Sequence, residues 1–91
     1  MKIIENKIWK DGQKIGRIDG PHVRDVSDNK LGYFENNIIY NEAAHKIAYI
    51  HEDELVFENG QPSISLEHIN TEIEGTMPLL AKCAVHVLFE D

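Results

Sequence analysis

A short signature returns along this chain at constant spacing. Lys14-Ile15-Gly16-Arg17-Ile18, Lys30-Leu31-Gly32-Tyr33-Phe34 and Lys46-Ile47-Ala48-Tyr49-Ile50 share one order: lysine, apolar, small, Arg or Tyr, apolar. Their starts lie sixteen residues apart. The stretches between them align at the same offset, with Ile8-Trp9-Lys10, Arg24-Asp25-Val26, Tyr40-Asn41-Glu42 and Val56-Phe57-Glu58 following Lys7, Val23, Ile39 and Leu55. Recurrence at fixed spacing is the mark of a chain built from one supersecondary unit. The cuts fall at 7–22, 23–38, 39–54 and 55–70, and the last unit is degenerate, because Pro62-Ser63-Ile64-Ser65-Leu66 keeps only the final apolar position.

Each unit holds two short β-favouring runs separated by turn residues. One set of turns is Asp11-Gly12-Gln13, Ser27-Asp28-Asn29, Ala43-Ala44-His45 and Asn59-Gly60-Gln61; the other is Asp19-Gly20-Pro21, Glu35-Asn36-Asn37 and His51-Glu52-Asp53. Asp11-Gly12 and Asn59-Gly60 are two-residue hairpin signals. The expectation is a meander of about eight short strands. The recurring small residue, Gly16, Gly32 and Ala48, sits mid-strand, where it implies either close approach of another backbone or large side chain, or a bulge.

After residue 62 the texture changes. Leu66, Ile69 and Ile73 take helical spacing, with Ser65 as a cap and Gly75 as a stop, and Thr76-Met77-Pro78 reads as a second helix start. Leu79 to Phe89 is apolar except for Lys82 and His86, four apart on one narrow stripe. Such a helix wants burial on most of its circumference; Val85 to Phe89 also alternates as a strand would. The fold class is therefore mainly β (α+β): one domain over 1–91, with β repeats over 1–62 and a degenerate fourth repeat plus C-terminal helical segment over 63–91.

The pieces Lys14–Ile18, Lys30–Phe34, Ile38-Ile39-Tyr40-Asn41 and Lys46–Ile50 resemble the tandem Ile-Gly-Tyr-Ile and Ile-Tyr-Asp repeats of the four-fold beta-flower family of bacterial proteins, and they cover about half the chain. Arg17 stands where that pattern has tyrosine. The resemblance implies β-units about a pseudo-four-fold axis. It implies no activity and no catalytic residue.

Composition narrows the partners. Sixteen acidic residues against nine basic ones leave a formal charge of −7, which disfavours nucleic acid and anionic membrane surfaces. A single cysteine forms no internal disulfide, and the first residues lack an apolar signal core, so a reducing, cytoplasmic setting is expected. Of the five histidines, His22, His45, His51 and His68 fall at four different places of the unit and His86 lies outside the units, and none shows metal-binding spacing, so neither a metal nor another cofactor is expected. Cys83, with His86 one turn away, reads as a buried small hydrophobe rather than a nucleophile, and the carboxylates read as turn and solubility residues. No catalytic motif is present, and an enzyme is not expected.

Two repeated columns are candidate ligand contacts. Tyr33, Tyr49 and Arg17 share one, where the rings either stack on a flat ligand or cover a sheet face. Lys14, Lys30 and Lys46 share the other, where they either meet an anion or protect strand edges. The apolar helix carries a different expectation: Leu79, Leu80, Cys83, Ala84, Val87 and Leu88 would pack between copies in a homo-oligomer. The sequence is thus read as a non-enzymatic interaction or scaffold module that self-associates, its partner being another protein or a second copy, with a small-molecule or anion binder as the alternative.

Overall fold

The computed structural model describes residues 1–89. They form nine antiparallel strands in one sheet, in sequence order, and two helices near the C-terminal end. The strands are β1 (Lys2–Ile4), β2 (Lys7–Lys10), β3 (Gln13–Asp19), β4 (His22–Asp25), β5 (Lys30–Glu35), β6 (Ile38–Asn41), β7 (Lys46–His51), β8 (Glu54–Phe57) and β9 (Ile64–Ser65). The helices are α1 (Leu66–Glu72) and α2 (Leu79–Phe89).

Nine strands side by side would span about 38 Å if the sheet were flat. The largest extent of the molecule is 30 Å, so the sheet curls. It curls around α2, which packs against β4, β5 and β6. One core joins Ile3, Ile8, Ile18, Val23, Ile39, Ala48 and Leu55 of the strands to Ile69 and Ile73 of the α1 segment and Ala81, Cys83, Ala84 and Val85 of α2. The free edge of β1 is met by the chain leaving α1, where the Ile3 amide donates to the Glu74 carbonyl at 2.8 Å and the Glu74 amide donates to the Met1 carbonyl at 3.2 Å.

Strand pairing recurs with the signature. Gly16↔Asp25, Gly32↔Asn41 and Ala48↔Phe57 are equivalent pairs sixteen residues apart. Each of the hairpins β2–β3, β4–β5 and β6–β7 also carries a register shift: Ile8 pairs with Gly16 but Trp9 with Lys14, Val23 with Gly32 but Arg24 with Lys30, and Ile39 with Ala48 but Tyr40 with Lys46. The extra residues are Ile15, Leu31 and Ile47, the second column of the signature. A bulge sets two successive residues against one on the partner strand. Ile15 and Ile47, each beside a buried Gly16 or Ala48, accordingly pack on the core. Both sequence readings of the small column hold: there is a bulge, and there is close approach. A Cβ on Gly16 would overlap the Arg24 carbonyl oxygen and lie 2.6 Å from Phe89 Cζ, and one on Gly32 would overlap the Tyr40 carbonyl oxygen and lie 3.0 Å from Leu88.

Several expectations are corrected. The residue equivalent to Val23, Ile39 and Leu55 is Ile8, not Lys7: all four are 0% exposed, whereas Lys7 is exposed and pairs with Arg17. The first unit is one residue short because its turn is the two-residue Asp11-Gly12, while Val26–Asp28 and Glu42–Ala44 have three. Asn59-Gly60 does not close a two-residue hairpin; it lies within a longer connection where Asn59 Oδ1 accepts from the Gln61 amide at 3.0 Å. Pro62 stands where the other units open a strand with lysine, and it has no N–H to give a ladder. Helix α1 begins as expected, with Ser65 Oγ accepting from the His68 amide at 3.1 Å, but it ends at Ile73 rather than Gly75. Gly75, at φ +135°, instead lets the chain cross tightly over the Ile3 carbonyl. Residues 85–89 are helical.

The polar stripe of α2 is likewise not its solvent side. Lys82 is 4% and His86 7% exposed, and both face α1: Lys82 Nζ donates to Asn70 Oδ1 at 2.8 Å, and His86 Nδ1 lies 3.0 Å from Glu72 Oε1. The second helix covers the polar stripe while the curled sheet covers the apolar faces, so Ala81 to His86 are buried within one chain.

Candidate functional site on the outer sheet face

Residues paired across strands lie on the same face. Because the bulge places columns two and three together on the core side, it returns the lysine of column one to the outer face, beside column four. Cross-strand rows then read off the register. The first is Lys2–Trp9–Lys14; the second is Lys7–Arg17–Arg24–Lys30; the third is His22–Tyr33–Tyr40–Lys46; the fourth is Ile38–Tyr49–Val56. Asp19 stands opposite His22 and Glu35 opposite Ile38 at the ends of the third and fourth rows, so equivalent inner positions are cationic in the second row, aromatic in the third and aromatic or apolar in the fourth.

All six candidate ligand residues lie on this outer face. Lys30 Nζ sits 4.9 Å from the Tyr33 ring centre and Lys46 Nζ 4.4 Å from that of Tyr49, the same lysine-to-tyrosine contact sixteen residues apart. Lys14 has no such partner, since Arg17 replaces the ring. Tyr33 and Tyr40 stack with centres 4.6 Å apart and planes 14° apart, and His22 meets the Tyr33 ring edgewise at 6.0 Å. The tyrosine faces are therefore engaged by one another and by lysine, the geometry of rings that cover a sheet.

The cationic row is organised differently. Asp28 Oδ1 lies 2.6 Å from Arg17 Nη2 and 4.0 Å from Arg24 Nε, and Asp19 Oδ2 lies 3.5 Å from Arg24 Nε and 3.9 Å from Arg17 Nη1. The hydrogen bond to Asp28, with the charge of that carboxylate, raises the Arg17 pKa above its ordinary value. Asp28 is held for this role by a turn in which Asp25 Oδ1 accepts from the Ser27 and Asn29 amides, each at 2.9 Å; these bonds, that from Asn29 foremost, keep the Asp25 carboxyl below its usual pKa. Asn41 builds the equivalent turn, accepting from the Ala43 and His45 amides. Lys7 and Lys30, at the two ends of the row, have no carboxylate within 4 Å among the described residues.

Lys7, His22, Arg24 and Tyr40 lie outside the two columns, because they belong to the partner strands. Counting outward from the two-residue turns finds two of them, since Gly20-Pro21 sets Arg17 opposite Arg24 and Asn36-Asn37 sets Tyr33 opposite Tyr40, whereas Lys7 and His22 meet the columns only across the bulged hairpins.

The other candidates lie elsewhere. Cys83 and Ala84 are 0% exposed in the chain's own core, while Leu79, Leu80, Val87 and Leu88 are half-buried. Burial pushes the Cys83 thiol up to about 11, far from a nucleophile's range. A cleft of about 610 Å³ opens between β7, the β8–β9 connection and α2, walled by Ile47, Phe57, Ile64 and Val87 with Gln61 and His86 at its polar side. Among the described residues no His, Cys, Asp and Glu cluster is arranged to hold a metal ion, and no helix is long and apolar enough to cross a membrane. No protein-family model, curated protein or solved structure matches the chain.

Proposed function

We propose that this protein is a non-enzymatic interaction module whose working surface is the outer face of the sheet. The observation that carries this reading is the row Lys7–Arg17–Arg24–Lys30: like charges opposite one another on neighbouring strands weaken a sheet, and here four stand in succession in a chain of charge −7. Two are balanced by Asp19, at the end of β3, and Asp28, in the β4–β5 turn, and two are left for a partner. The row is open, convex and without a nucleophile or an acid–base pair, which suits adhesion rather than turnover.

The test is paired affinity capture with the wild type and the Lys7→Glu/Lys30→Glu variant. Proteins retained by the first and lost by the second support the reading; an identical retained set overturns it. Self-association belongs to the reading through the half-buried Leu79, Leu80, Val87 and Leu88, and a single monomeric species in sedimentation at micromolar concentration removes that part.

The pairing recurrence and the equivalent buried residues Ile8, Val23, Ile39 and Leu55 support a pseudo-four-fold set of hairpin units, and with it kinship to the four-fold beta-flower proteins. A cytoplasmic setting accords with the reduced, buried Cys83. A second reading, a small-ligand binder, is favoured by the 610 Å³ cleft, whose size and mostly apolar wall suit a small molecule. A thermal-shift screen answered by the wild type but not by Phe57→Ala supports that alternative.

A further inference from the structure

The charges of this chain are unevenly placed. Residues 1–30 hold seven of the nine basic residues and five of the sixteen acidic ones, so the segment that supplies the row is net basic within an acidic protein. The exposed large apolar side chains among the described residues are Ile4, at 48%, and Val26, at 65%. Ile4 lies on the outer face with the row, and Val26 lies in a turn that borders it. Ile4 pairs with Lys7 and so extends the cationic row at its β1 end. Val26 lies in the β4–β5 turn at the other end, two residues before Asp28, whose carboxylate reaches Arg17. The row therefore runs from exposed Ile4 through four cations, of which Arg17 and Arg24 are paired with Asp19 and Asp28, to the strands whose connecting turn exposes Val26.

We infer that this row is a docking site for an acidic linear segment of another protein, flanked by an apolar residue at each end. The inference rests on the interaction-module reading and names the partner's chemistry. Charge complementarity selects the acidic centre, since Lys7 and Lys30 have no carboxylate of their own. The apolar ends are matched to Ile4 and Val26, whose exposed side chains gain from covering by apolar groups. Length follows from geometry: β1 to β5 is four strand spacings, about 19 Å, which an extended segment covers with about six residues. The chain's overall charge works against a nucleic acid or anionic membrane, whose large negative field would meet the whole acidic molecule, whereas a short segment meets only this face.

The experiment is fluorescence anisotropy with three labelled, end-blocked hexapeptides: Val-Glu-Asp-Glu-Asp-Val, the same with serine at both ends, and the same with glutamine and asparagine in the centre. The first binds the wild type at low salt and weakens about tenfold in the Lys7→Glu/Lys30→Glu variant and on raising salt. It weakens severalfold in Ile4→Ser/Val26→Ser, and the other two peptides bind at least severalfold more weakly than the first. All four substituted side chains lie on the sheet's outer face or in a turn, and Lys7→Gln/Lys30→Gln, which leaves neutral side chains, gives an intermediate loss. Equal affinity for the serine-ended peptide overturns the apolar ends while leaving the interaction module standing. Absence of peptide binding, indifference to the lysine variants, or tighter binding of phosphatidylserine vesicles or a single-stranded oligonucleotide overturns the inference. Failure of the module itself is read separately, from the affinity-capture comparison.

Discussion

Lys82 Nζ lies 2.8 Å from Asn70 Oδ1, and this bond ties α2 to α1 at a position where the lysine is only 4% exposed. A buried ammonium left without its acceptor is costly. Asn70→Ala is expected to destabilise the fold by about 1.5–3 kcal/mol, the range for a hydrogen bond to a charged group. Lys82→Met with Asn70→Leu removes charge and acceptor together and should recover most of that loss. Chemical denaturation of Lys82→Met, Asn70→Leu and the variant with both gives the coupling.

Gly32 has no room for a side chain. A Cβ there would overlap the Tyr40 carbonyl oxygen of the neighbouring strand, and a backbone atom cannot swing aside as a flexible side chain would. Gly32→Ala should cost about 2–3 kcal/mol, as overpacking against fixed structure does. A loss below about half a kcal/mol in equilibrium unfolding would show that the strand pair can spread.

Ala44 sits at φ +65°, in the left-handed region that side chains with a Cβ enter at a cost. Ala44→Gly relieves that strain but loosens the unfolded chain, so the net gain should be about 0.5–1 kcal/mol. The melting temperature should rise; a fall would mean that the turn is not held in this conformation.

The depressed pKa of Asp25 implies acid sensitivity of a defined sign. Its ionised form is favoured by the native turn, so its contribution to stability is present above the ordinary carboxyl value and is lost as pH falls through the depressed native one. Asp25→Asn keeps the turn's acceptor, as Asn41 shows, but removes the titration. Its stability curve should therefore be flatter than the wild type's below pH 3.8.

Cys83 works in the opposite direction. Its thiol is raised from 9.0 to about 11, so the stabilisation is complete below the unfolded value and declines as pH climbs from 9.0 toward 11. At neutral pH a thiol-directed reagent should leave the native protein unmodified and react fully once it is unfolded. Rapid labelling of the native state would contradict the buried placement.

Much of the sheet was legible in the order of residues. The sixteen-residue recurrence, the Asp11-Gly12 turn and the Ser65 cap each reflect local chemistry: side-chain alternation, positive-φ tolerance and orphan amides. The register of the first unit was not legible, because one residue fewer in a turn moves Ile8 into the place that Lys7 was expected to share. The site was half legible: the columns holding Arg17, Tyr33, Tyr49 and the three lysines repeat within one strand of each hairpin, whereas Lys7, Arg24, His22 and Tyr40 come from the other strand and meet them only through pairing.

A meander of short strands followed by helices was determined by the sequence itself, since turn chemistry and periodicity act over a few residues. Which side of α2 meets water was decided only in three dimensions. Lys82 and His86 look like a wet stripe when α2 is considered alone, yet α1 supplies Asn70 and Glu72 to them and the curled sheet encloses the rest. Burial is a property of what the remainder of the chain brings near, and polar groups can be interior wherever a partner satisfies them.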